Sequence, residues 1–107
     1  MSISISRVAS KKEYEICLSI RRKVFIEEQG ISESIEMDDD RIDATNFIAL
    51  LDDYFAGTAR YQNTIHGIKL ERFAVLRSYR NLGIGKALVK FMLESLHGDE
   101  EIYLHAQ

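Results

Sequence analysis

The stretch Leu70–Leu88, LERFAVLRSYRNLGIGKAL, decides the fold of this chain. It opens as an apolar run of strand length, passes through a turn that contains Gly83 and Gly85, and continues with helical periodicity. Two glycines at the start of a helix let backbone amides converge without obstruction by Cβ atoms. The first amides of a helix lack an intrahelical acceptor, and the helix dipole adds partial positive charge. This turn is therefore predicted to bind an anion, most naturally a phosphate.

Two familiar phosphate-binding loops do not fit these residues. A Walker A loop needs Ser or Thr after its Gly-Lys pair, but Ala87 follows Lys86. A dinucleotide fingerprint needs a third glycine where Leu88 stands, and an acidic residue about 20 positions further on. From the residues alone, the two glycines could equally ease a tight strand-to-helix turn without binding a ligand.

Hydrophobic periodicity predicts seven elements in the order β-α-β-β-β-α-β, an α/β fold in a single domain over residues 1–107. Ser10 and Glu13 form a capping box that opens the first helix. Gly57, inside a strand, indicates a bulge or a close backbone approach. The predicted elements are a strand over 2–8, a helix over 10–28, strands over 45–51, 54–62 and 68–76, a helix over 83–97 and a strand over 100–106.

Composition narrows the class of protein. The chain has 107 residues and one cysteine, Cys17, which excludes an intrachain disulfide and a cysteine-rich metal site, and no other metal site is predicted. Neither a signal-peptide stretch nor a run of about 20 apolar residues is present, so a cytoplasmic protein without membrane contact is expected. The net charge of −3 argues against general nucleic-acid binding, although six basic residues lie between Lys69 and Lys90.

The segment around the glycine turn strongly resembles the acetyl-CoA motif of the GNAT superfamily of N-acyltransferases. That motif is written Arg/Gln-x-x-Gly-x-Gly/Ala, and Arg80, Gly83 and Gly85 occupy its fixed positions. The string RRKVFIEEQG over Arg21–Gly30 looks like the first-helix signature of the ElaA-like branch, and GTAR over Gly57–Arg60 matches its third strand. The resemblance implies a mixed, largely antiparallel sheet of GNAT type.

The resemblance also implies a cofactor, acetyl-CoA, and a reaction: direct attack of a primary amine on the thioester. The amine would belong to a small molecule or a peptide. The pantetheine arm would run along the strand like an added strand, and the thioester would lie near Val75 and Leu76, where a backbone N–H can stabilise the oxyanion. Arg80 would shape the loop. The implied cofactor-binding residues are Phe73, Ala74 and Val75 for the arm, and the amides of Leu82, Gly83, Ile84, Gly85 and Lys86 for the pyrophosphate.

A base or a water chain must take the proton of the attacking amine. Glu71 is the first candidate, because it alternates with Phe73 and Val75 and is therefore predicted to share their strand face. Glu28, at the end of the first helix, is the second candidate. For each carboxylate, an ordinary surface or structural role is the alternative.

In the family, the last strand predicted here is followed by a helix and two further strands, whereas this sequence stops at Gln107. The resemblance therefore implies a C-terminally incomplete domain, truncated after the fifth strand, in which no leaving-group acid can be assigned. A non-catalytic CoA-binding or self-assembling remnant is the alternative function. The last strand would present a sheet edge, so self-association through it is predicted.

Overall fold

A computed structural model of the chain describes residues 2–30, 44–96 and 101–104. Its helices are α1 (Lys11–Arg21), which continues as a π-helical segment (Arg22–Glu28), and α2 (Ile84–Ser95), with a short 3-10 turn at Arg77–Tyr79. The strands are β1 (Ile3–Arg7), β2 (Thr45–Leu51), β3 (Tyr54–Thr64), β4 (Gly67–Val75) and β5 (Ile102–Leu104).

The five strands form one sheet in the order β1-β2-β3-β4-β5. The first four strands pair antiparallel, whereas β5 runs parallel to β4 and pairs with residues 68–70. The predicted element order and the mixed, largely antiparallel sheet are thus confirmed. The outer parts of the predicted strand over 100–106 lie outside the described residues, as do residues 31–43 between the first helix and β2.

The first helix begins as its capping box predicts. The Ser10 side chain accepts a hydrogen bond from the Glu13 amide, and the Glu13 carboxylate accepts one from the Ala9 amide. The first bond satisfies an amide that a helix leaves without a partner in its first turn, and the second ties the residue before the N-cap to that turn. The helical path then reaches Glu28, as predicted, but its last seven residues are π-helical.

The two helices cover opposite faces of the sheet. On the α2 face, Ile84, Leu88 and Met92 pack against a row of strand residues that includes Phe47 and Leu70. On the α1 face, Ile20, Val24 and Phe25 pack against Ala74. Both faces of the sheet bury apolar side chains, and this packing stabilises the end of β4, which leads to the predicted site. None of the described helices is both long and apolar enough to cross a membrane.

Gly57 makes the close approach that its position in a strand suggested. A Cβ atom there would lie 3.0 Å from the Ala74 carbonyl oxygen and 3.2 Å from Cγ2 of Ile84. The register between β2 and β3 also shifts beside it, since Ala49 pairs with Gly57 but Leu50 pairs with Phe55. The absent side chain lets the first residue of α2 seat against the sheet, which fixes where that helix starts.

Candidate cofactor and catalytic site

The glycine turn, residues Arg80–Lys86, joins the 3-10 turn after β4 to the start of α2. Asn81 has a φ of 63° and Gly83 a φ of 88°, so the backbone twice enters the left-handed region. Asn is one of the few side chains that tolerates this conformation, and Gly adopts it freely. The two left-handed residues swing the chain sharply from the end of the strand into the helix axis.

The start of α2 presents backbone amides to the outside. Gly83 is the N-cap, and no side chain of the described residues caps the helix there. The Ala87 amide donates to the Gly83 carbonyl oxygen at 3.0 Å, which leaves the preceding amides of Ile84, Gly85 and Lys86 without an intrahelical acceptor. Three amides at the positive end of a helix form a natural anion cradle.

The glycine turn is open where a ligand would lie. Among the described residues, no atom beyond the chain neighbours and the helix's own backbone comes within 4 Å of a Cβ built on Gly83 or on Gly85. The Lys86 side chain is exposed beside them. Bare amides, free space and a nearby ammonium group are features that suit an anion such as a pyrophosphate.

Arg80 joins two regions that are far apart in sequence. Its Nε donates to the Val75 carbonyl oxygen at 2.9 Å, and its Nη2 lies 2.6 Å from Oε1 of Glu28. Both side chains of this ion pair are partly exposed, at 37% for Arg80 and 27% for Glu28. The structure thus brings together two residues that the sequence proposed for different roles.

The last part of β4 directs some of its amides away from β3. The Leu76 amide donates to the Ala56 carbonyl oxygen, so that group is already used within the sheet. Because alternate residues of a strand point their amides to opposite sides, the amides of Phe73 and Val75 face the other edge. Within the described residues, β5 pairs with β4 only at residues 68–70. This edge suits an extended ligand that adds as a strand.

Glu71 lies in a buried polar cluster with Arg60, Gln62 and Lys69, here called the Glu71 cluster. Its Oε2 accepts hydrogen bonds from Nε of Arg60 at 2.6 Å and from Nε2 of Gln62 at 2.8 Å. Its Oε1 lies 3.2 Å from the Lys69 ammonium nitrogen. The residue is only 3% exposed. This carboxylate is therefore held by three neighbours instead of by water.

These contacts set the protonation of Glu71. Burial raises the pKa of its carboxyl, but the positive charge and hydrogen bond of Arg60, with those of Lys69, act the other way and outweigh burial. The pKa consequently lies below its ordinary value, and the group is ionised at neutral pH. An ionised buried carboxylate can receive a proton, although its cationic partners reduce its basicity.

A bulge in β4 lies between Glu71 and the strand edge at Phe73 and Val75. Thr58 pairs with Ala74 but Arg60 pairs with Glu71, so β4 carries one residue more than β3 in this interval. Arg72 has a φ of 57°, which marks the extra residue.

The bulge reverses the expected side-chain direction. Phe73 and Val75 pack against the core on the α2 face, whereas Glu71 bonds to side chains of the opposite face. The prediction that these three residues share one strand face is therefore wrong, because an inserted residue breaks the two-residue alternation on which it depended. The structural role that stood as the alternative for Glu71 is supported by its pairing with Arg60 and Lys69, although the sequence did not identify Arg60 and Gln62 by number. The alternating polar residues Arg60 and Gln62 on β3 were a usable signal for a polar surface on that face.

Comparison with known proteins agrees with this geometry. The family model described as "Acetyltransferase (GNAT) family" matches residues 14–107. The Bacillus subtilis (strain 168) protein named "Putative acetyltransferase BSU40680" is 36% identical over 90 residues, which cover 81% of this chain and 61% of that protein. The chain therefore spans about three fifths of the length of that relative.

Two solved structures share the fold. ElaA of Escherichia coli superposes with a TM-score of 0.82 at 23% identity, covering 99% of this chain and 79% of its own. An acyl-CoA N-acyltransferase of Pseudomonas aeruginosa gives a TM-score of 0.82 at 22% identity, with coverage of 99% and 80%.

Proposed function

This chain belongs to the GNAT family of acetyltransferases, and from that premise we propose that it transfers an acetyl group from acetyl-CoA to a primary amine. One observation carries the proposal: the open glycine turn, whose helix-start amides lack an intrahelical acceptor, lies one short 3-10 turn beyond a strand whose edge can hold an extended ligand. Acetyl-CoA needs both features, because it combines a doubly charged pyrophosphate with a long amide-containing arm.

The chain's own groups would hold the cofactor in two places. The amides of Leu82–Lys86 would bind the pyrophosphate, the Lys86 ammonium group would add a full charge, and Arg80 would shape the loop. The Phe73 amide and carbonyl and the Val75 amide would hold the pantetheine arm by strand pairing, whereas the predicted contact of Ala74 is not favoured, because Ala74 pairs with Thr58 of β3. Since the Leu76 amide is bonded to Ala56, the Val75 amide is the better oxyanion donor of the two predicted near the thioester.

The proton of the attacking amine needs an acceptor, and we assign that role to Glu71 acting through water. The carboxylate lies immediately before the bulge at Arg72, next to the proposed path of the pantetheine arm, and it is ionised. Its burial prevents direct contact with an acceptor molecule, so a water molecule must carry the proton. The acceptor itself is proposed to be a primary amine of a small molecule or a peptide.

Self-association through β5 is a separate part of the proposal. Within the described residues, β5 pairs with β4 on one side, and Ile102 and Leu104 are 38% and 57% exposed. An edge strand with exposed apolar side chains favours pairing with a second copy. Light scattering should therefore give a mass above 12.3 kDa, whereas a monodisperse monomer would contradict this part alone.

The deciding experiment is turnover of acetyl-CoA with a panel of primary amines, followed by release of free thiol. Wild-type protein should release thiol only when an amine is present, and Gly83→Asn should weaken CoA binding by at least about 30-fold and lower turnover with it. CoA binding without turnover on any amine would support the alternative, a non-catalytic CoA-binding module. If the protein neither binds CoA nor releases thiol with any amine, both the enzyme and the CoA-binding module are contradicted.

A further inference from the structure

We propose that Glu28 is a positioning residue, which sets the geometry of the glycine turn by holding the Arg80 guanidinium, and that it is not the proton acceptor. The inference rests on the proposed function, since it assumes that CoA binds at this turn. It replaces the catalytic role that the sequence suggested for Glu28 with a role exerted through a second residue.

The end of the first helix is a firm platform for Glu28. Val24 and Phe25, in the π-helical segment, are 3% and 1% exposed and pack against Ala74 near the end of β4. The Gln29 amide donates to the Val24 carbonyl oxygen, which completes the last π-helical turn. Short π-helical segments occur frequently at functional sites. Here the segment ends with its final residue, Glu28, facing the loop that follows β4.

Arg80 contacts the loop after β4 through one nitrogen and Glu28 through another. The bond from Arg80 Nε to the Val75 carbonyl oxygen ties the two ends of the 75–80 segment together. The 2.6 Å contact between Nη2 and Glu28 then holds the plane of the guanidinium. The left-handed residues Asn81 and Gly83 follow within three positions, so the orientation of Arg80 sets the start of the amide cradle.

The ion pair also decides which groups attract the ligand. Glu28 neutralises the charge of Arg80, so the anion at this turn is attracted mainly by the helix-start amides and by Lys86. A partly exposed ion pair contributes little to global stability. Removing Glu28 should therefore leave the protein folded while the guanidinium loses its fixed orientation.

The test is calorimetric titration of the full chain with CoA, for wild type, Glu28→Ala, Glu28→Gln, Arg80→Lys and the double variant Glu28→Ala/Arg80→Lys. Glu28→Ala should raise the Kd about three- to tenfold, and Glu28→Gln, which keeps an acceptor oxygen, less. The double variant should bind no more weakly than Arg80→Lys alone, because Glu28 acts only through Arg80. Glu27→Ala is the matched control: it removes an exposed carboxylate from the adjacent position and should leave the Kd unchanged.

Two further measurements separate positioning from proton transfer and from folding. In turnover assays, Glu28→Ala should raise the KM for acetyl-CoA and leave kcat and its pH profile unchanged. Amide hydrogen exchange over residues 76–83 of the free protein should be faster in Glu28→Ala, with the rest of the chain unaffected.

Several outcomes would overturn the inference. An unchanged or lower Kd in Glu28→Ala, additive losses in the double variant, or a kcat that falls about a hundredfold with loss of the rising limb of the pH profile would each do so. These results are distinct from failure of the proposed function, in which wild-type protein itself shows no heat with CoA and the binding role of Glu28 falls with it.

Discussion

The two halves of β4 use charge in opposite ways. Before the bulge at Arg72, the Glu71 cluster buries its charges and pairs them within the protein. After the bulge, the chain runs into the glycine turn, where the helix-start amides have no intrahelical acceptor and the space above the glycines is open. β4 thus contains a closed polar cluster before its bulge and leads, beyond its end at Val75, to an open polar surface in the glycine turn. The difference separates charges that are satisfied within the fold from backbone amides that remain available to a ligand.

The largest expected effect comes from removing the carboxylate of the Glu71 cluster. Glu71→Ala leaves Arg60 buried without its carboxylate and should lower the free energy of unfolding by about 3–5 kcal/mol. Glu71→Gln keeps acceptor oxygen for the neighbouring donors and should cost less. Urea denaturation followed by circular dichroism measures both. A loss below about 1 kcal/mol for Glu71→Ala would show that the cluster is not a structural unit.

The next largest effect comes from placing a side chain over the amides of the glycine turn. Gly83→Asn places a side chain over the amide cradle, and Asn accepts the left-handed backbone with little strain, as Asn81 already does. CoA affinity should fall by at least about 30-fold, equivalent to about 2 kcal/mol, with the melting temperature nearly unchanged. Calorimetry with CoA and a thermal melt on the same sample provide the two values. Wild-type affinity in this variant would remove the glycine turn from the binding site.

A smaller effect is the pH dependence of the stability that the Glu71 cluster contributes. Because the pKa of Glu71 is lowered on folding, its ion pairs stabilise the protein above the unfolded-state pKa and lose this contribution as pH falls through the folded-state pKa. The stability advantage of wild type over Glu71→Gln should therefore be constant from about pH 6 to 8 and shrink below about pH 4.5. An advantage that instead grows on acidification would reverse the sign of this account.

The smallest effect distinguishes Gly83 from Gly85, the two glycines of the glycine turn. Gly85 lies in the first turn of α2, has room for a Cβ atom among the described residues, and does not have the left-handed backbone of Gly83. Gly85→Ala should raise the free energy of unfolding by about 0.5–1 kcal/mol through helix propensity. Since the family motif accepts Ala at this position, CoA affinity should change less than about threefold. Destabilisation measured in urea would show that the turn needs both glycines for conformational reasons.

The sequence predicted the elements, their order and the glycine turn, because each follows from local signals. Ser10 and Glu13 marked the start of the first helix, and Gly83 marked the start of the last. The π-helical segment was not predicted, because Val24 and Phe25 are spaced as an ordinary apolar helix face would be.

The bulge and the ion pair were missed for different reasons. Arg72 adopts a positive φ without being Gly or Asn, so no residue type announced the bulge that turns Glu71 away from Phe73. The contact of Glu28 with Arg80 joins residues 52 positions apart, and only the folded chain brings them together. Predictions of side-chain direction therefore failed where one inserted residue changed the strand alternation.

The central claim is that the glycine turn binds the pyrophosphate of CoA. Amide chemical-shift mapping tests this claim most directly. Titration of the full chain with CoA should move the amides of Gly83, Ile84, Gly85 and Lys86 most, and pantetheine, which has no pyrophosphate, should leave these four unmoved. The largest shifts at the Glu71 cluster, or equal shifts with both compounds, would contradict the claim.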